Sequence, residues 1–173
     1  KLLIDTTCPL VRRVHDAAMQ LAAEDRHVLL IGNPGHVEVL GIVEDLERCD
    51  VIASRKDVRA YESERLGIVC QTTMPSPLVA DIRECIARGN PAADIRFVDT
   101  ICQPTKRRQQ AMLELINCVD AVVVVGGRNS NNTRRLAELC EQHDVPALQV
   151  TCADEITPNS LGNAKIIGLT AGT

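Results

Sequence analysis

Eight of the 173 residues are cysteines, and two of them stand in the same short motif. Asp5-Thr6-Thr7-Cys8 returns as Asp99-Thr100-Ile101-Cys102, an offset of 94 residues (99 minus 5). Basic, helix-like residues follow each copy: Arg12-Arg13, then Lys106-Arg107-Arg108. A thiol in a turn ahead of a helix meets the positive end of that helix, which favours the thiolate, the form that binds metal. Two thiolates cannot complete a cluster site, so spacing alone leaves metal ligation and duplicated structural cysteines equally open. A second candidate is Gly32-Asn33-Pro34-Gly35-His36-Val37-Glu38. It places an imidazole and a carboxylate two residues apart in a Gly/Pro loop at a strand end, where they can bind an anion and move protons. A solvated loop is the simpler reading of that segment by itself. A third is Gly126-Gly127-Arg128-Asn129-Ser130-Asn131-Asn132-Thr133 between a predicted strand and helix. Its glycines allow close backbone approach, and the helix N-terminus adds free N–H groups suited to phosphate. It is neither a Walker loop nor a dinucleotide fingerprint. An N-cap explains one of its polar residues but not five in succession. Gln71-Thr72-Thr73 ends another strand and reads either as ligand-binding hydroxyls or as a cap for the following turn.

These groups need a frame that brings strand ends together. Val28-Leu29-Leu30-Ile31-Gly32 and Val122-Val123-Val124-Val125-Gly126 keep the offset of 94 (126 minus 32), and Ile68–Thr73 is loosely echoed in Ile167–Gly172. The chain therefore reads as two related lobes, 1–94 and 95–173. Helices are expected over 9–24, 77–88, 106–117 and 131–143, the last stopped by Pro146. Strands are expected near 28–31, 67–70, 95–98, 121–125, 147–150 and 166–169, with a further strand-like segment opening the chain. Runs such as Ala121–Val125 are apolar on both faces, as buried parallel strands are. The fold class is α/β: two pseudo-symmetric α/β/α lobes with parallel sheets, whose functional loops lie at the carboxyl ends of the strands.

Composition sets the limits. Hydrophobic residues make up 45% of the chain, yet Tyr61 and Phe97 are its only aromatics. The core must be aliphatic, and stacking platforms for single-stranded nucleic acid are lacking. A net charge of −4 argues against a general nucleic-acid or membrane-surface role. No apolar run approaches the roughly 20 residues a membrane helix needs. The start does not read as an export signal, so the cysteines are expected to be reduced thiols, and none forms a CxxC pair. Cys85, Cys118 and Cys140 fall in apolar helical patterns and are expected in the core. His15, His27 and His143 lie in or beside helical stretches and are expected to be structural or solvated.

Together these segments resemble the 4-hydroxy-3-methylbut-2-enyl diphosphate reductases, the LytB-type iron–sulfur family. The resemblance is carried by Asp5–Val11 with His15, Gly35–Gly41, Gln71–Thr73, Asp99–Gln109, Val125–Thr133 running into Arg135–Leu139, and Gly168–Gly172. It covers essentially the whole chain in order. It implies a trefoil of three pseudo-symmetric lobes, of which this chain holds the second and third. It also implies a 4Fe–4S cluster held by one cysteine per lobe. Cys8 and Cys102 would be two ligands and the third would come from a missing N-terminal lobe. His36, Asn129, Ser130 and Asn132 would hold the substrate diphosphate, with Thr73 and Thr105 close by. Glu38 and Thr72 would relay protons to the hydroxyl lost as water. The implied reaction is reductive dehydroxylation of the allylic diphosphate to isopentenyl and dimethylallyl diphosphate, the last step of non-mevalonate isoprenoid synthesis. Ferredoxin or flavodoxin would donate the electrons, in the cytoplasm. The departures are the missing lobe, an end at Thr173 ahead of a further phosphate-binding serine, Val37 where many members carry Pro, and Asn33 where some carry His. Without the first lobe the isolated chain is expected to be inactive.

Two other classes compete. A non-catalytic module would hold a phosphorylated metabolite between two lobes without a cluster; a Phe-Cys-x-Gly-type segment upstream in the natural protein would speak against it. A cysteine hydrolase needs a Cys–His pair, and His15, seven residues beyond Cys8, is poorly placed to serve that thiol.

Overall fold

The computed structural model describes residues 4–157 and 159–172. The expected opening strand falls partly on residues 1–3 and so lies outside them. The chain forms two compact units, Lys1–Cys102 and Gln103–Thr173. The first contains α1 (Pro9–Ala23), β1 (His27–Ile31), α2 (Val37–Val43), β2 (Cys49–Ile52), β3 (Arg65–Cys70), α3 (Ser76–Gly89) and β4 (Asp94–Phe97). The second contains α4 (Gln103–Ile116), β5 (Ala121–Val125), α5 (Asn131–Gln142), β6 (Ala147–Val150) and β7 (Ile167–Ala171). A short 3₁₀ turn follows the second strand in each, Arg55–Asp57 and Ala153–Glu155. All strand pairs are parallel, in the orders β2-β1-β3-β4 and β6-β5-β7. Among the described residues no helix is long and apolar enough to cross a membrane.

The aliphatic runs do what their two-sided apolarity requires. In the first unit Val28, Leu30 and Val69 pack against Val14, Ala18 and Leu21 of α1 and Val39 and Ile42 of α2. Leu29, Ile31 and Ile68 face the other way, onto Val79, Ile82 and Ile86 of α3. In the second unit Val122 and Val124 pack on Met112 and Ile116 of α4 and Leu136 and Cys140 of α5. Arg26, only 7% exposed, ties the lower edge of the first sheet together by donating to the carbonyls of Leu66 (3.2 Å) and Asp94 (2.9 Å) and to the Asp94 carboxylate (2.7 Å).

The duplication is visible in packing. Val28 pairs with Gly67 as Val122 pairs with Gly168. Both glycines lie under a leucine of the preceding first helix, Leu21 or Leu115, themselves 94 apart (115 minus 21). A Cβ on Gly67 would meet Leu21 Cβ at 2.9 Å, and one on Gly168 would meet Leu115 Cδ2 at 2.9 Å. This register corrects the loose echo read in the sequence: Gln71 corresponds to Gly172, not to Thr170, since their amides bond Ile31 and Val125 respectively.

Two elements differ from expectation. Val37–Val43 is helical rather than loop, and Cys49–Ile52 is a strand that the sequence had not marked. A β-branched, Gly-containing run of seven residues has little helix propensity of its own. Burial of Val39 and Ile42 and a side-chain cap override it.

Replacing Gly67 by Ala should cost about 1–3 kcal/mol, as overpacking does, despite the gain from a stiffer unfolded chain. Urea unfolding measures it, and adding Leu21→Ala should make the pair cost less than the sum of the singles. A neutral Gly67→Ala would contradict the tight helix–sheet contact.

Candidate functional site

Both Asp-Thr-x-Cys motifs build the same local structure. Asp5 Oδ1 accepts from the Thr7 amide (2.9 Å), and Asp99 Oδ1 accepts from the Ile101 amide (3.2 Å). Such Asx turns let a short acidic side chain replace a backbone partner. They deliver each thiol to a helix start. Cys8 is the N-cap of α1, with Pro9 at the first helical position, and Cys102 directly precedes α4. Cys8 is exposed, Cys102 is half-buried, and both are free thiols.

The strand–helix junctions repeat as well. In the first, the His36 amide donates to the Asn33 carbonyl and Leu40 N–H to the His36 carbonyl, both at 3.0 Å. In the second, the Ser130 amide donates to the Gly127 carbonyl (3.0 Å) and Arg134 N–H to the Ser130 carbonyl (3.1 Å). His36 and Ser130 are the two N-caps: His36 Nδ1 accepts from Glu38 N–H (3.2 Å), and Ser130 Oγ accepts from Thr133 N–H (3.2 Å). Glu38 and Asn132 therefore hold equivalent places in the first turns of α2 and α5, 94 residues apart (132 minus 38), and both are buried. Asn131 is buried beside Asn132. Asn129 is exposed ahead of the cap. Behind it the chain runs so close that a Cβ on Gly126 would lie 2.3 Å from Thr133 Oγ1.

Within the first unit the structure links four of the expected site residues in series. His36 Nδ1 takes the Glu38 amide. The Glu38 carboxylate takes the Thr72 amide on Oε1 (2.8 Å) and the Thr72 hydroxyl on Oε2 (2.9 Å). The Thr72 carbonyl takes the Cys102 amide (3.0 Å). Glu38 and Thr72 are 8% and 6% exposed, so this pair is a buried, doubly bonded contact between α2 and the end of β3. Thr73 joins through Gln71, whose Nε2 donates to Thr73 Oγ1 (3.3 Å) while its Oε1 accepts from Asn33 N–H (2.9 Å).

His36 and Glu38 open onto a cleft of about 760 Å³, lined also by Asp5, Thr7, Arg12 and His15. His15 contacts Asp45 at 2.7 Å across the helix pair. Thr105 of α4 is buried. Sequence reasoning named Gln71 and Thr100 only within their motifs and gave neither a bracing role; the Thr100 hydroxyl accepts from Cys70 N–H (2.8 Å) and donates to the Cys70 carbonyl (2.6 Å), fixing the Asp99–Cys102 turn to β3. The repeated Asp-Thr pair was the available signal for Thr100.

The other cysteines divide by environment. Burial pushes the Cys70 thiol up to about 12 and the Cys49 thiol, beside Asp50, to about 11, so neither offers a thiolate near neutrality. Cys140 is buried, as expected, and Cys85 is half-buried; Cys118 departs from expectation and is exposed, because α4 ends at Ile116 before reaching it. His27 lies at the start of β1 rather than beside a helix and contacts Asp50 at 2.8 Å; His143 caps the end of α5. Among the described residues no group of three or more His, Cys, Asp or Glu side chains gathers to hold a metal. The two motif cysteines thus fit a cluster only if a further ligand comes from outside the described residues.

Fold and site together define an α/β protein with duplicated strand–turn–helix junctions and a thiol ahead of each lobe's first helix. The family model described as "LytB protein" matches residues 1–173, and the chain belongs to that family. It is similar to the 4-hydroxy-3-methylbut-2-enyl diphosphate reductases of Aquifex aeolicus (34% identical, 98% of this chain, 60% of that protein) and Bartonella henselae (37%, 98% and 51%). Among solved structures it is similar to the E-1-hydroxy-2-methyl-but-2-enyl-4-diphosphate reductase from Plasmodium falciparum, at TM-score 0.91 and 30% identity over 98% of this chain and 54% of that one. A second structure, of (E)-4-hydroxy-3-methyl-but-2-enyl diphosphate reductase, the terminal enzyme of the non-mevalonate pathway, gives 0.61 and 33% over 98% and 62%. The chain spans roughly half to three fifths of these relatives.

Thr72→Val should lower stability by about 1.5–3 kcal/mol, since a buried carboxylate oxygen loses its hydroxyl donor, whereas Thr72→Ser should stay near the parent. Denaturant midpoints distinguish them; a Val variant as stable as the parent would show that the Glu38–Thr72 contact does not stabilise the fold.

Proposed function

We propose that this chain forms the second and third lobes of a 4-hydroxy-3-methylbut-2-enyl diphosphate reductase. The observation that carries the proposal is the hydrogen-bonded series His36–Glu38–Thr72–Cys102. It joins an anion-binding candidate, a buried carboxylate–hydroxyl pair and a cysteine at a helix start in one unit. Membership of the family and the reductase relatives support the same reading.

In this reading His36, Asn129, Ser130 and Asn132 are the residues that hold the substrate diphosphate. A diphosphate needs several donors at once, and the α5 N-terminus adds free N–H groups to its side-chain donors. Thr73 and Thr105 lie close by. Cys8, Cys102 and a third thiolate from outside this chain hold a 4Fe–4S cluster, which supplies electrons and an iron with an open position. The overall change consumes two electrons and two protons: the allylic C–O bond breaks, its oxygen leaves as water, and the allyl carbon gains hydrogen. Ferredoxin or flavodoxin supplies the electrons, and the protein works in the cytoplasm.

The chain's own contribution to the proton transfer follows from one contact. When Glu38 is a carboxylate, the Thr72 hydroxyl donates to it. When Glu38 carries a proton, the bond reverses: Glu38 donates to Thr72 Oγ1, and the Thr72 hydrogen is free to turn toward the leaving oxygen. A buried pair 2.9 Å apart can thus pass a proton without either residue moving.

In the full-length protein, Glu38→Gln should fold normally and bind diphosphate yet lose about 10²–10⁴-fold in turnover, the usual contribution of a general acid–base group. Near-normal turnover would sink the relay. Asn132→Ala should weaken diphosphate binding by about 1.5–3 kcal/mol in calorimetry. Unchanged affinity would remove the α5 N-terminus from the site.

A further inference from the structure

The His36 ring has two nitrogens with different surroundings. Nδ1 accepts the Glu38 amide at 3.2 Å and caps α2. Among the described residues Nε2 has no protein partner, and the half-exposed ring lines the cleft. A nitrogen that accepts a hydrogen bond must keep its lone pair, so the neutral ring carries its hydrogen on Nε2. An imidazolium has donors at both nitrogens and would set N–H against N–H at the cap.

The second unit repeats this division of labour. Ser130 Oγ accepts the Thr133 amide at 3.2 Å, which leaves its hydroxyl hydrogen to point elsewhere. Both caps spend an acceptor on their helix and keep one donor.

The charged and titratable groups lining the cleft are Asp5 ahead of α1, Arg12, His15 and Asp16 on α1, and Glu38 on α2. Asp5 is paired with Arg12, and His15 contacts Asp45. Glu38, the carboxylate nearest in sequence, has both oxygens on Thr72.

We propose that His36 meets its anionic ligand as a neutral Nε2–H imidazole. It is a single directed donor to a phosphoryl oxygen, neither a cationic counter-charge nor a proton source for the reaction. The identity of the ligand rests on the reductase reading above; the form of the ring does not. The inference also specifies what can replace His36. Asn offers a capping oxygen and a neutral N–H donor and should do both tasks, whereas Ala does neither.

The test uses full-length protein labelled with ¹⁵N at histidine. At pH 7.5 the ring correlations that vanish in His36→Asn should show an unprotonated Nδ1 and a protonated Nε2. Calorimetry with inorganic pyrophosphate, in two buffers of different ionisation enthalpy, should show the same proton uptake for the parent and His36→Asn. Affinity should fall no more than about fivefold in His36→Asn and about ten- to a hundredfold in His36→Ala, the range for losing a hydrogen bond to a charged group. A doubly protonated ring, an Nδ1–H ring, or a proton taken up on binding that His36→Asn abolishes would overturn the proposal. The ring form is read without ligand, so it fails separately from the reductase reading, which the Glu38→Gln turnover tests.

Discussion

The first unit's carboxyl edge depends on the grip of Thr72 on Glu38. Helix α2 has seven residues, too few to persist on its own. It is held by the burial of Val39 and Ile42 on one side and by two hydrogen bonds from Thr72 to the Glu38 carboxylate on the other. That grip anchors the first turn of α2, whose Glu38 amide is capped by the His36 ring. It also fixes the backbone of Thr72, whose carbonyl receives the Cys102 amide. Catalytic candidate, ligand candidate and metal-ligand candidate are therefore positioned by one buried contact rather than by three independent loops.

The duplication explains how such a site can arise. Both units place a strand, a four-residue turn, an N-cap and a helix in the same order, with the same backbone hydrogen bonds. What differs is the chemistry mounted on that frame. The first unit carries His36 and Glu38 where the second carries Ser130 and Asn132. At these two positions the first junction offers an imidazole and a carboxylate, and the second a hydroxyl and an amide. Helix packing is preserved through Leu21 on Gly67 and Leu115 on Gly168, so side chains at the junctions can diverge while the sheets stay in register. The outer face has diverged as well. Leu66 and Ile68 are fully buried beneath α3, while their counterparts Ile167 and Leu169 are 48% and 72% exposed.

Much of this was legible in the sequence because the signals were redundant. Ala121–Val125 is a strand by apolarity alone, and four helices could be read from periodicity and from stops such as Pro146. The repeated Asp-Thr-x-Cys and the strand-terminal glycines exposed the duplication through a shared offset. Legibility failed where local preference and tertiary context disagree. Val37–Val43 looks like loop or strand until Val39 and Ile42 find α1. Cys49–Ile52 is too short, with Asp50 within it, to announce a strand. The echo near Ile167 was misaligned by two residues because similarity of type cannot fix a register that the ladder with β5 decides. Family resemblance pointed to His36, Glu38 and Thr72, but not to the bonds that connect them. The bracing roles of Gln71 and Thr100 were not legible within their motifs because a side chain that braces a turn has no distinctive residue type.

The proposed reductase requires Cys8 and Cys102 to serve one iron–sulfur centre. Iron content and visible absorption of the full-length protein, prepared anaerobically, test this. About four iron atoms per chain are expected, with broad sulfur-to-iron absorption. Both should be lost in Cys8→Ser and in Cys102→Ser and kept in Cys152→Ser, which alters an exposed thiol outside the two motifs. Full iron content and an unchanged spectrum in Cys8→Ser or Cys102→Ser would contradict it.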